Sequence, residues 1–359
     1  MNVLVTGGAG FIGSHIVDQL VADGHDVVVV DDLDPNAHDG LPEGLSPDAR
    51  YLWKDVRDAS TWRDVLAGVE AVCHQAAMVG LGVDFGDAQE YASRNVTGTA
   101  CLLKALHEAS FSGRVVLASS MVVYGEGRYR CAVHGTVRPG PRMVSEVSTG
   151  RFDPVCPTCG RSLSPEAVPE DQAVDPRNVY AVTKYAHEGL CGAYAREHPG
   201  CTATLLRYHN VYGPRMPRGT PYAGVASIFR SAYANGEAPL LFEDGGQIRD
   251  FVYVGDVARA NLIALTTDQP VGGAFNICSG EPRTIAELAE VSRPDGAPPP
   301  RVVGSFRLGD VRHVFADPSR AAATLGFRAE IDFATGVRSF ETAPLRSASG
   351  RRDGPASHA

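Results

Sequence analysis

The sequence predicts an α/β protein with a doubly wound parallel sheet and a smaller α/β lobe in its C-terminal half. Through the first 210 of its 359 residues, short Val- and Leu-rich runs alternate with helical patterns. Such near-continuous apolar runs are typical of parallel strands that helices cover on both faces. A glycine cluster stands between the first run and the first helical pattern, which is the order of a strand–turn–helix unit.

Each predicted element follows from its local pattern of apolar residues. The predicted strands are residues 3–6, 27–31, 71–75, 115–119 and 203–208. The predicted helices are residues 12–22, 88–109 and 179–197.

These elements divide the chain into regions. Residues 1–208 form the sheet domain, which a Pro-, Gly- and Arg-rich insertion at residues 126–175 interrupts. Residues 209–341 form the smaller, substrate-binding lobe, from which residues 248–266 are expected to return to the first domain. The Ser-, Arg- and Gly-rich residues 342–359 are expected to be a flexible tail.

Composition excludes several functional classes. The net charge of -9 argues against a nucleic-acid surface, which needs clustered cations. No apolar run approaches the roughly 20 residues of a membrane-spanning helix, and the first residues lack the basic segment of an export signal. Eight cysteines in such a chain indicate thiols or metal ligands in a cytoplasmic protein rather than a disulfide framework.

The glycine cluster is the first candidate site. Gly7, Gly10 and Gly13 permit a tight turn, the close approach of a pyrophosphate and close packing of the following helix. The second strand ends at Asp31, whose carboxylate can bind ribose hydroxyls and would repel the 2′-phosphate of NADP. The pattern therefore predicts a Rossmann-type domain that binds NAD. The alternative is that Asp31 and Asp32 belong to a solvated turn.

Tyr180 and Lys184 are the candidate proton-transfer group. They stand four residues apart in a predicted helix and therefore share one face. A nearby ammonium, together with a positive nicotinamide, would lower the pKa of the phenol and make it a usable base. An exposed helix pair is the alternative, and it is less favoured because the strand at residues 115–119 leads to the hydroxyl of Ser120.

Several motifs, taken in order, resemble one family. They are TGGAGFIG, the acid at Asp31, then DV, AA, NVTGT, SSMVVYG and YAVTK. Their order is similar to that of the extended short-chain dehydrogenase/reductases, in the NAD-dependent nucleotide-sugar epimerase/dehydratase branch that includes UDP-glucose 4-epimerase. The resemblance implies that Ser120, Tyr180 and Lys184 are catalytic. It also implies that the cofactor contacts are Gly7, Gly10, Phe11, Ile12, Gly13, Asp31, Asp32, Asp55, Val56, Ala76, Ala77, Asn95, Tyr180 and Lys184.

The second half carries the substrate side of the resemblance. RYHNVYGP is similar to a segment whose Asn contacts the substrate diphosphate, here Asn210, and RDFVYVGD to one whose Arg pairs with it, here Arg249. RLGD resembles an element in which Arg307 would meet phosphate and Asp310 the nucleotide ribose, although Leu308 replaces the usual proline. Forked guanidiniums suit phosphate oxygens on physical grounds alone. By the same resemblance, the hydroxyl of the catalytic serine also contacts the sugar.

Two positions narrow the reaction that the resemblance implies. Sugar dehydratases of the family carry Asp-Glu just after the catalytic hydroxyl, and decarboxylases keep the Glu, whereas this chain has Met121 and Val122. Neither side chain can exchange protons, so redox chemistry alone remains. The resulting hypothesis is a 4-epimerase that oxidises its sugar transiently to a 4-keto sugar and re-reduces it on the opposite face. A dehydrogenase that releases NADH and a non-catalytic NAD-binding regulatory protein are the alternatives.

The resemblance also implies partners. The substrate would be a UDP- or dTDP-activated sugar. Family members dimerise by packing two helices from each subunit, and residues 88–109 and 179–197 match those positions. A homodimer with a four-helix interface is therefore expected.

The insertion contains a candidate metal site. Cys131 and His134 form CxxH, and Cys156 and Cys159 form CxxC, a set that suits tetrahedral structural zinc. The alternative is four unrelated reduced residues in a long surface loop. The insertion resembles that of some dTDP-L-rhamnose 4-epimerases.

Overall fold

The computed structural model describes residues 1–35, 37–63, 65–80, 85–218, 224–307 and 309–347. The strands within these ranges are β1 Asn2–Thr6, β2 Asp26–Asp31, β3 Arg50–Trp53, β4 Ala71–His74, β5 Arg114–Ser120, β6 Arg128–Cys131, β7 Gly135–Val137, β8 Ser164–Glu166, β9 Thr202–Tyr208, β10 Asn210–Tyr212, β11 Pro217–Arg218, β12 Leu240–Leu241, β13 Ile248–Tyr253, β14 Gly273–Ile277, β15 Pro282–Thr284, β16 Arg301–Val302, β17 His313–Val314 and β18 Arg346–Ser347.

The α-helices within the same ranges are α1 Phe11–Ala22, α2 Ala88–Tyr91, α3 Gly98–Glu108, α4 Val144–Val147, α5 Val179–Glu197, α6 Val225–Ala234, α7 Val254–Thr266, α8 Ile285–Val291, α9 Ser319–Thr324 and α10 Phe333–Thr342. A π-helical segment, Ala92–Thr97, joins α2 to α3, so the helix expected at residues 88–109 contains a wider turn in its middle. Shorter 3₁₀ segments are Ala59–Thr61, Phe85–Asp87 and Met121–Tyr124.

A seven-stranded parallel sheet in the order β14-β9-β5-β4-β1-β2-β3 forms the centre of the molecule. Its inner strands are the five predicted ones, which confirms the doubly wound fold class. Because side chains alternate along a strand, Val3 and Val5 face one side with α1 and α7, and Leu4 faces the other with α3 and α5. The sheet is therefore covered by helices on both faces, as its apolar strands require.

The two edge strands were not expected from the sequence. Arg50–Trp53 has a mixed composition, and Gly273–Ile277 lies within the range assigned to the smaller lobe. Within residues 248–266, for which a return to the first domain was expected, helix α7 packs beside α1 on the main sheet. The strand of that range, Ile248–Tyr253, belongs to the second lobe.

The second lobe is built around β10, β13, β15 and β17. Its core combines aromatic residues of these strands with α6, α8 and α10. The insertion forms a separate three-stranded antiparallel sheet of β7, β6 and β8. The described part of the chain contains no helix that is both long and apolar enough to cross a membrane.

The chain remains folded beyond the point where a tail was expected. Strand β18 pairs with β11 in parallel. The guanidinium of Arg346 donates to the carbonyl oxygens of Ala9 at 2.6 Å and Gly10 at 3.3 Å, and to that of Glu43 at 3.2 Å. The expected tail therefore overlaps an ordered strand at residues 346–347, and its residues 348–359 lie outside the described part.

Candidate active site

The glycine turn between β1 and α1 leaves no room for side chains. Gly7 has φ +68°, and a Cβ on it would lie 2.7 Å from the main-chain nitrogen of Ala76. A Cβ on Gly13 would lie 2.1 Å from the carbonyl oxygen of Gly7. The N–H of Gly10 donates to that carbonyl at 3.2 Å and precedes the first turn of α1. This bare backbone at a helix N-terminus fits a pyrophosphate, so the residues present suit a dinucleotide.

Asp31, at the end of β2, stabilises the glycine turn through a hydrogen bond. Its carboxylate is buried and accepts the N–H of Ala9 and the N–H of Leu33, each at 3.0 Å. Leu33 has φ +52°, a left-handed conformation uncommon for a non-glycine residue. The Nε2 atom of His38 lies 3.8 Å from the carboxylate, and burial lowers the pKa of this imidazole. A carboxylate oxygen has more than one acceptor site, so Asp31 retains capacity for a ribose hydroxyl.

The other predicted adenosine contacts carry protein partners. Asp32 lies 3.2 Å from the guanidinium of Arg94. Asp55 accepts from the Nε of Arg57 at 2.9 Å, and this hydrogen bond lowers the pKa of its carboxyl group. Val56 is buried in the apolar cluster on the α3 face of the sheet. Direct contact of these residues with a cofactor stays a prediction.

Phe11 and Ile12 occupy the first turn of α1 but pack in different directions. Phe11 lies against the aromatic core of the second lobe, and Ile12 packs against the main sheet. The start of the helix therefore touches both lobes.

Ala76 and Ala77 follow β4, and the N–H of Ala76 donates to the hydroxyl of Thr6 at 3.2 Å. The next residue, Met78, is held by Asn95 from the π-helical segment. The Asn95 side chain accepts the N–H of Met78 at 2.7 Å and donates to the carbonyl oxygen of Met78 at 3.0 Å. It also donates to the hydroxyl of Thr183 in α5 at 2.9 Å. The Asn95 side chain therefore links the segment after β4 to the helix that carries Tyr180, and its contact with a cofactor stays a prediction.

The structure brings the three predicted catalytic residues together. Ser120 ends β5, and its hydroxyl lies near the phenol of Tyr180. Helix α5 begins after Asn178, which caps it by accepting the N–H of Ala181 at 2.8 Å. Lys184 follows one turn after Tyr180, with its Nζ 6.0 Å from the centre of the phenol ring.

The electrostatics of this group differ from the sequence expectation. Burial raises the pKa of Tyr180 to about 12, against the lowering effect of the Ser120 hydroxyl. Burial also lowers the pKa of Lys184 to about 8. The Lys184 ammonium donates to the carbonyl oxygen of Ala118 at 3.0 Å. The expected lowering of the phenol pKa by this ammonium is therefore outweighed by burial in the protein alone.

Met121 and Val122 form a short 3₁₀ turn after Ser120 and offer no titratable group. The N–H of Val122 points to the serine hydroxyl at 3.4 Å. Met121 packs with Val174 and Val311 around a small apolar cluster. The surroundings of the Ser120 hydroxyl on this side are therefore apolar.

A buried polar network behind the catalytic group was not predicted. Arg207 in β9 donates to both oxygens of Glu188 in α5, at 2.9 and 2.8 Å. Its guanidinium also lies 4.8 Å from the ring centre of Tyr124. The hydroxyl of Ser119 donates to Glu188 at 2.5 Å. The bond from Ser119 to Glu188 ties the strand of Ser120 to the helix of Tyr180. Its partners come from different elements, so no local sequence pattern indicated this network.

The second lobe reaches the end of the sheet that carries Ser120 through β10. Ser120 is the register partner of Tyr208, and Asn210 follows two residues later. The side-chain oxygen of Asn210 is buried without a hydrogen-bond partner among the described residues. Neighbouring β13 carries Arg249, whose guanidinium donates to main-chain carbonyl oxygens, including that of Val311 at 2.6 Å.

Asp310 and Arg307 approach Arg249 from the following segment. Burial raises the pKa of Asp310, while the charges of Arg249 and Arg307 oppose that shift. The Arg307 side chain is exposed, and its guanidinium lies 5.2 Å from the ring centre of Phe242. Leu308 lies outside the described residues. Phosphate and ribose contacts by these residues stay predictions.

A second unpredicted group is a cluster of buried charges between the insertion and the second lobe. Arg312 donates to Glu243 at 2.9 Å and to both oxygens of Asp244, at 2.7 and 2.9 Å. Arg142 of the insertion pairs with Glu243 and donates to the carbonyl oxygen of Arg307 at 3.1 Å. Scattered single charges in the sequence gave no signal for this cluster.

The four predicted metal ligands converge on one point of the insertion. The ligand atoms of Cys131, His134, Cys156 and Cys159 all lie within 4.8 Å of one another. Cys131 Sγ lies 3.7 Å from both His134 Nδ1 and Cys159 Sγ, and Cys156 Sγ lies 3.5 Å from His134 Nδ1. Hydrogen bonds from the backbone, first of all from Val133, lower the pKa of the Cys131 thiol to about 6. The cluster could hold one metal ion.

Comparison with known proteins gives close similarity along nearly the whole chain. The dTDP-L-rhamnose 4-epimerase of Burkholderia thailandensis is 34% identical over 349 residues, which cover 95% of this chain and 94% of that protein. The crystal structure of UDP-glucose 4-epimerase from Thermotoga maritima with UDP-glucose has a TM-score of 0.77 at 30% identity and covers 95% of this chain and 97% of that one.

A third similar protein contains the nucleotide cofactor. The structure of Thermus thermophilus UDP-glucose 4-epimerase in complex with NAD has a TM-score of 0.75 at 30% identity and covers 95% of this chain and 98% of that one. The sequence pattern of the NAD dependent epimerase/dehydratase family matches residues 3–146 and 147–278. The chain therefore belongs to the NAD dependent epimerase/dehydratase family.

Proposed function

We propose that the protein is an NAD-dependent nucleotide-sugar 4-epimerase. The observation that carries this proposal is the group of Ser120, Tyr180 and Lys184 beside apolar Met121 and Val122. Such a site can move a hydroxyl proton but has no acid or base, at the two positions after the serine, with which to eliminate water. The similar proteins named as 4-epimerases support the same reaction.

Each member of the group has a role in proton transfer. Bound NAD would supply the acceptor, and later the donor, of a hydride. The hydroxyl of Ser120 would hold the sugar hydroxyl against Tyr180, whose oxygen takes the proton. The high pKa of Tyr180 in the protein alone means that nearby positive charge must stabilise the phenolate. Lys184 is the protein's own source of that charge, because its Nζ lies near the ring.

Two alternatives use the same residues differently. A dehydrogenase would release NADH and an oxidised sugar, and a regulatory protein would bind NAD without turnover. The intact proton-transfer group counts against the regulatory protein, because a sensor has no use for it. The epimerase and the dehydrogenase differ in the fate of one hydrogen atom.

An isotope experiment separates these functions. A nucleotide-sugar deuterated at C4 is incubated with the protein, and the product is read by NMR and mass spectrometry. An epimerase returns the same hydrogen, so the deuterium should stay in a product inverted at C4. Stoichiometric NADH accumulation with loss of deuterium from the sugar would establish the dehydrogenase, and no change in any sugar would favour the regulatory protein.

The substrate class we propose is a UDP- or dTDP-activated sugar. Arg249 and Asp310 lie close together, with Arg307 in the same segment, which suits a nucleoside diphosphate. The similarity to a dTDP-L-rhamnose 4-epimerase favours testing dTDP-sugars first. A panel of UDP- and dTDP-sugars, compared by kcat/KM, would rank them.

We also infer that the Cys/His cluster of the insertion binds structural zinc. In a tetrahedral site with Zn–S of about 2.3 Å and Zn–N of about 2.0 Å, ligand atoms lie about 3.5–3.8 Å apart. The observed separations of 3.5 to 3.7 Å agree with that geometry. Four protein ligands fill the coordination sphere, so the role of the ion would be structural.

The homodimer is also part of the proposal. Val182, Tyr185 and Gly189 form an exposed apolar line along α5, and Ala100 is exposed on the neighbouring helix α3. Apolar side chains exposed along two packed helices suit a four-helix interface between two copies.

We place the protein in the cytoplasm. All eight cysteines lie within the described residues, and none of them forms a disulfide. Unpaired cysteines in this number suit a reducing compartment. Fractionation of cells that produce the protein would test this location.

A further inference from the structure

The first half of the insertion contacts the second lobe through Tyr129. This residue stands in β6, two positions before Cys131, and is fully buried. Its hydroxyl accepts the main-chain N–H of His313 at 3.2 Å and donates to the carboxylate of Glu126 at 3.1 Å. Glu126 in turn accepts the main-chain N–H of Arg312 at 2.9 Å. The first hairpin of the Cys/His cluster therefore holds the main chain of residues 312–313.

The second half of the insertion contacts the same segment through Asp153, three positions before Cys156. Its Oδ1 accepts from Arg312 Nε at 2.7 Å and lies 3.2 Å from His313 Nε2. The Asp153 side chain is 64% exposed, whereas that of Arg312 is 3% exposed. An acid at the surface of the insertion thus fixes a guanidinium that is buried in the lobe.

Residues 312–313 are continuous with the predicted nucleotide-binding residues. Asp310 precedes them by two positions, and His313 begins β17, which lies beside β13. In this register Val314 is the partner of Arg249, and the Arg249 guanidinium donates to the carbonyl oxygen of Arg312 at 2.9 Å. Any shift of this segment would therefore move Arg249 and Asp310 together.

We propose that Tyr129 and Asp153 are positioning residues for the nucleotide half of the substrate. They act through Arg312 and His313 on the guanidinium and carboxylate that face the nucleoside diphosphate. This inference rests on the proposed function, which supplies that ligand. It assigns the insertion to the binding of the nucleotide and not to proton transfer, because none of these bonds involves Tyr180 or its neighbours.

The test uses the full-length, NAD-loaded protein and the variant Asp153→Ala. UDP and dTDP are titrated separately by calorimetry, and KM and kcat are measured with the preferred sugar. Loss of the contacts with Arg312 and His313 should weaken nucleotide binding and raise KM by about three- to tenfold, with kcat within about twofold of wild type. The expected effect is partial because Arg312 still forms its hydrogen bonds with Glu243 and Asp244 in this variant.

Two matched variants complete the experiment. Asp153→Asn keeps an acceptor oxygen and should bind nucleotide almost as wild type does. Glu166→Gln removes another charge of the insertion, one that pairs with Arg128 and Arg130, and should leave affinity unchanged. Unchanged affinity in Asp153→Ala, an equal loss in Glu166→Gln, or a fall in kcat at constant KM would overturn the positioning role. Wild-type protein that binds neither UDP nor dTDP would instead refute the proposed function, and this inference with it.

Discussion

The buried ammonium of Lys184 should make the stability of the protein depend on pH. The side chain is 3% exposed, and burial lowers its pKa from 10.5 to about 8. In the unfolded chain the pKa returns to about 10.4, so between these two values the unfolded state binds more protons than the folded state. The contribution of Lys184 to stability therefore rises with pH across this window. About 2.5 pH units, at about 1.4 kcal/mol each, correspond to about 3 kcal/mol of unfolding free energy.

The measurement compares NAD-free wild type with Lys184→Met. Urea unfolding at intervals from pH 7 to pH 10 gives the free energy of unfolding of each protein. The charge of Lys184 also lowers the pKa of His74 and His187, but both imidazoles are neutral in this pH range, so the difference between the two proteins isolates Lys184. Wild type should gain about 2 to 3 kcal/mol relative to the variant as pH rises through this range. A difference that stays constant, or that moves in the opposite direction, would refute the assignment of a depressed pKa.

Four further outcomes are expected. Tyr180→Phe should abolish turnover while NAD stays bound, because the ring remains and only the proton acceptor is lost. Turnover within about threefold of wild type would exclude Tyr180 as the base. Asp31→Ala should loosen discrimination against NADP in calorimetry, whereas equal binding of both cofactors by wild type would contradict the ribose assignment. Elemental analysis should find about one zinc ion per chain. The double variant Cys156→Ser, Cys159→Ser should contain no zinc and have a higher KM for the sugar substrate, while it still binds NAD. Light scattering should show a dimer that Val182→Asp dissociates, and a monomeric wild type would refute the interface.

The sequence was sufficient to predict those strands and helices whose apolar residues follow a simple repeating pattern. Runs such as Val27–Val30 are apolar on both faces, so their burial in a parallel sheet could be predicted. The edge strand Arg50–Trp53 could not be predicted in this way. An edge strand needs fewer apolar residues than an inner strand, and this one is partly exposed. The strand Gly273–Ile277 was missed because of its position in the sequence. The chain returns to the main sheet between β13 and β15, which both belong to the second lobe.

In the candidate site, too, contacts that follow from a local sequence pattern could be predicted, and contacts between residues far apart in the sequence could not. The convergence of Cys131 with Cys159 followed from ligand spacing, and that of Tyr180 with Lys184 from helical periodicity. The partners of Arg312 come from segments about 70 and 160 positions away. No local pattern encodes such contacts, so the charge cluster became visible only in three dimensions.

The bond between Arg346 and the glycine turn joins the two ends of the chain, and this has a consequence for synthesis. Its partners stand 337 and 336 positions apart. At a translation rate of about 5–20 residues per second, on the order of 20 to 70 seconds separate the emergence of the turn from that of its guanidinium. A nascent chain that has already folded its first strands and helices still lacks this contact. A ribosome-bound chain shortened before residue 346 should therefore retain NAD more weakly than the released protein.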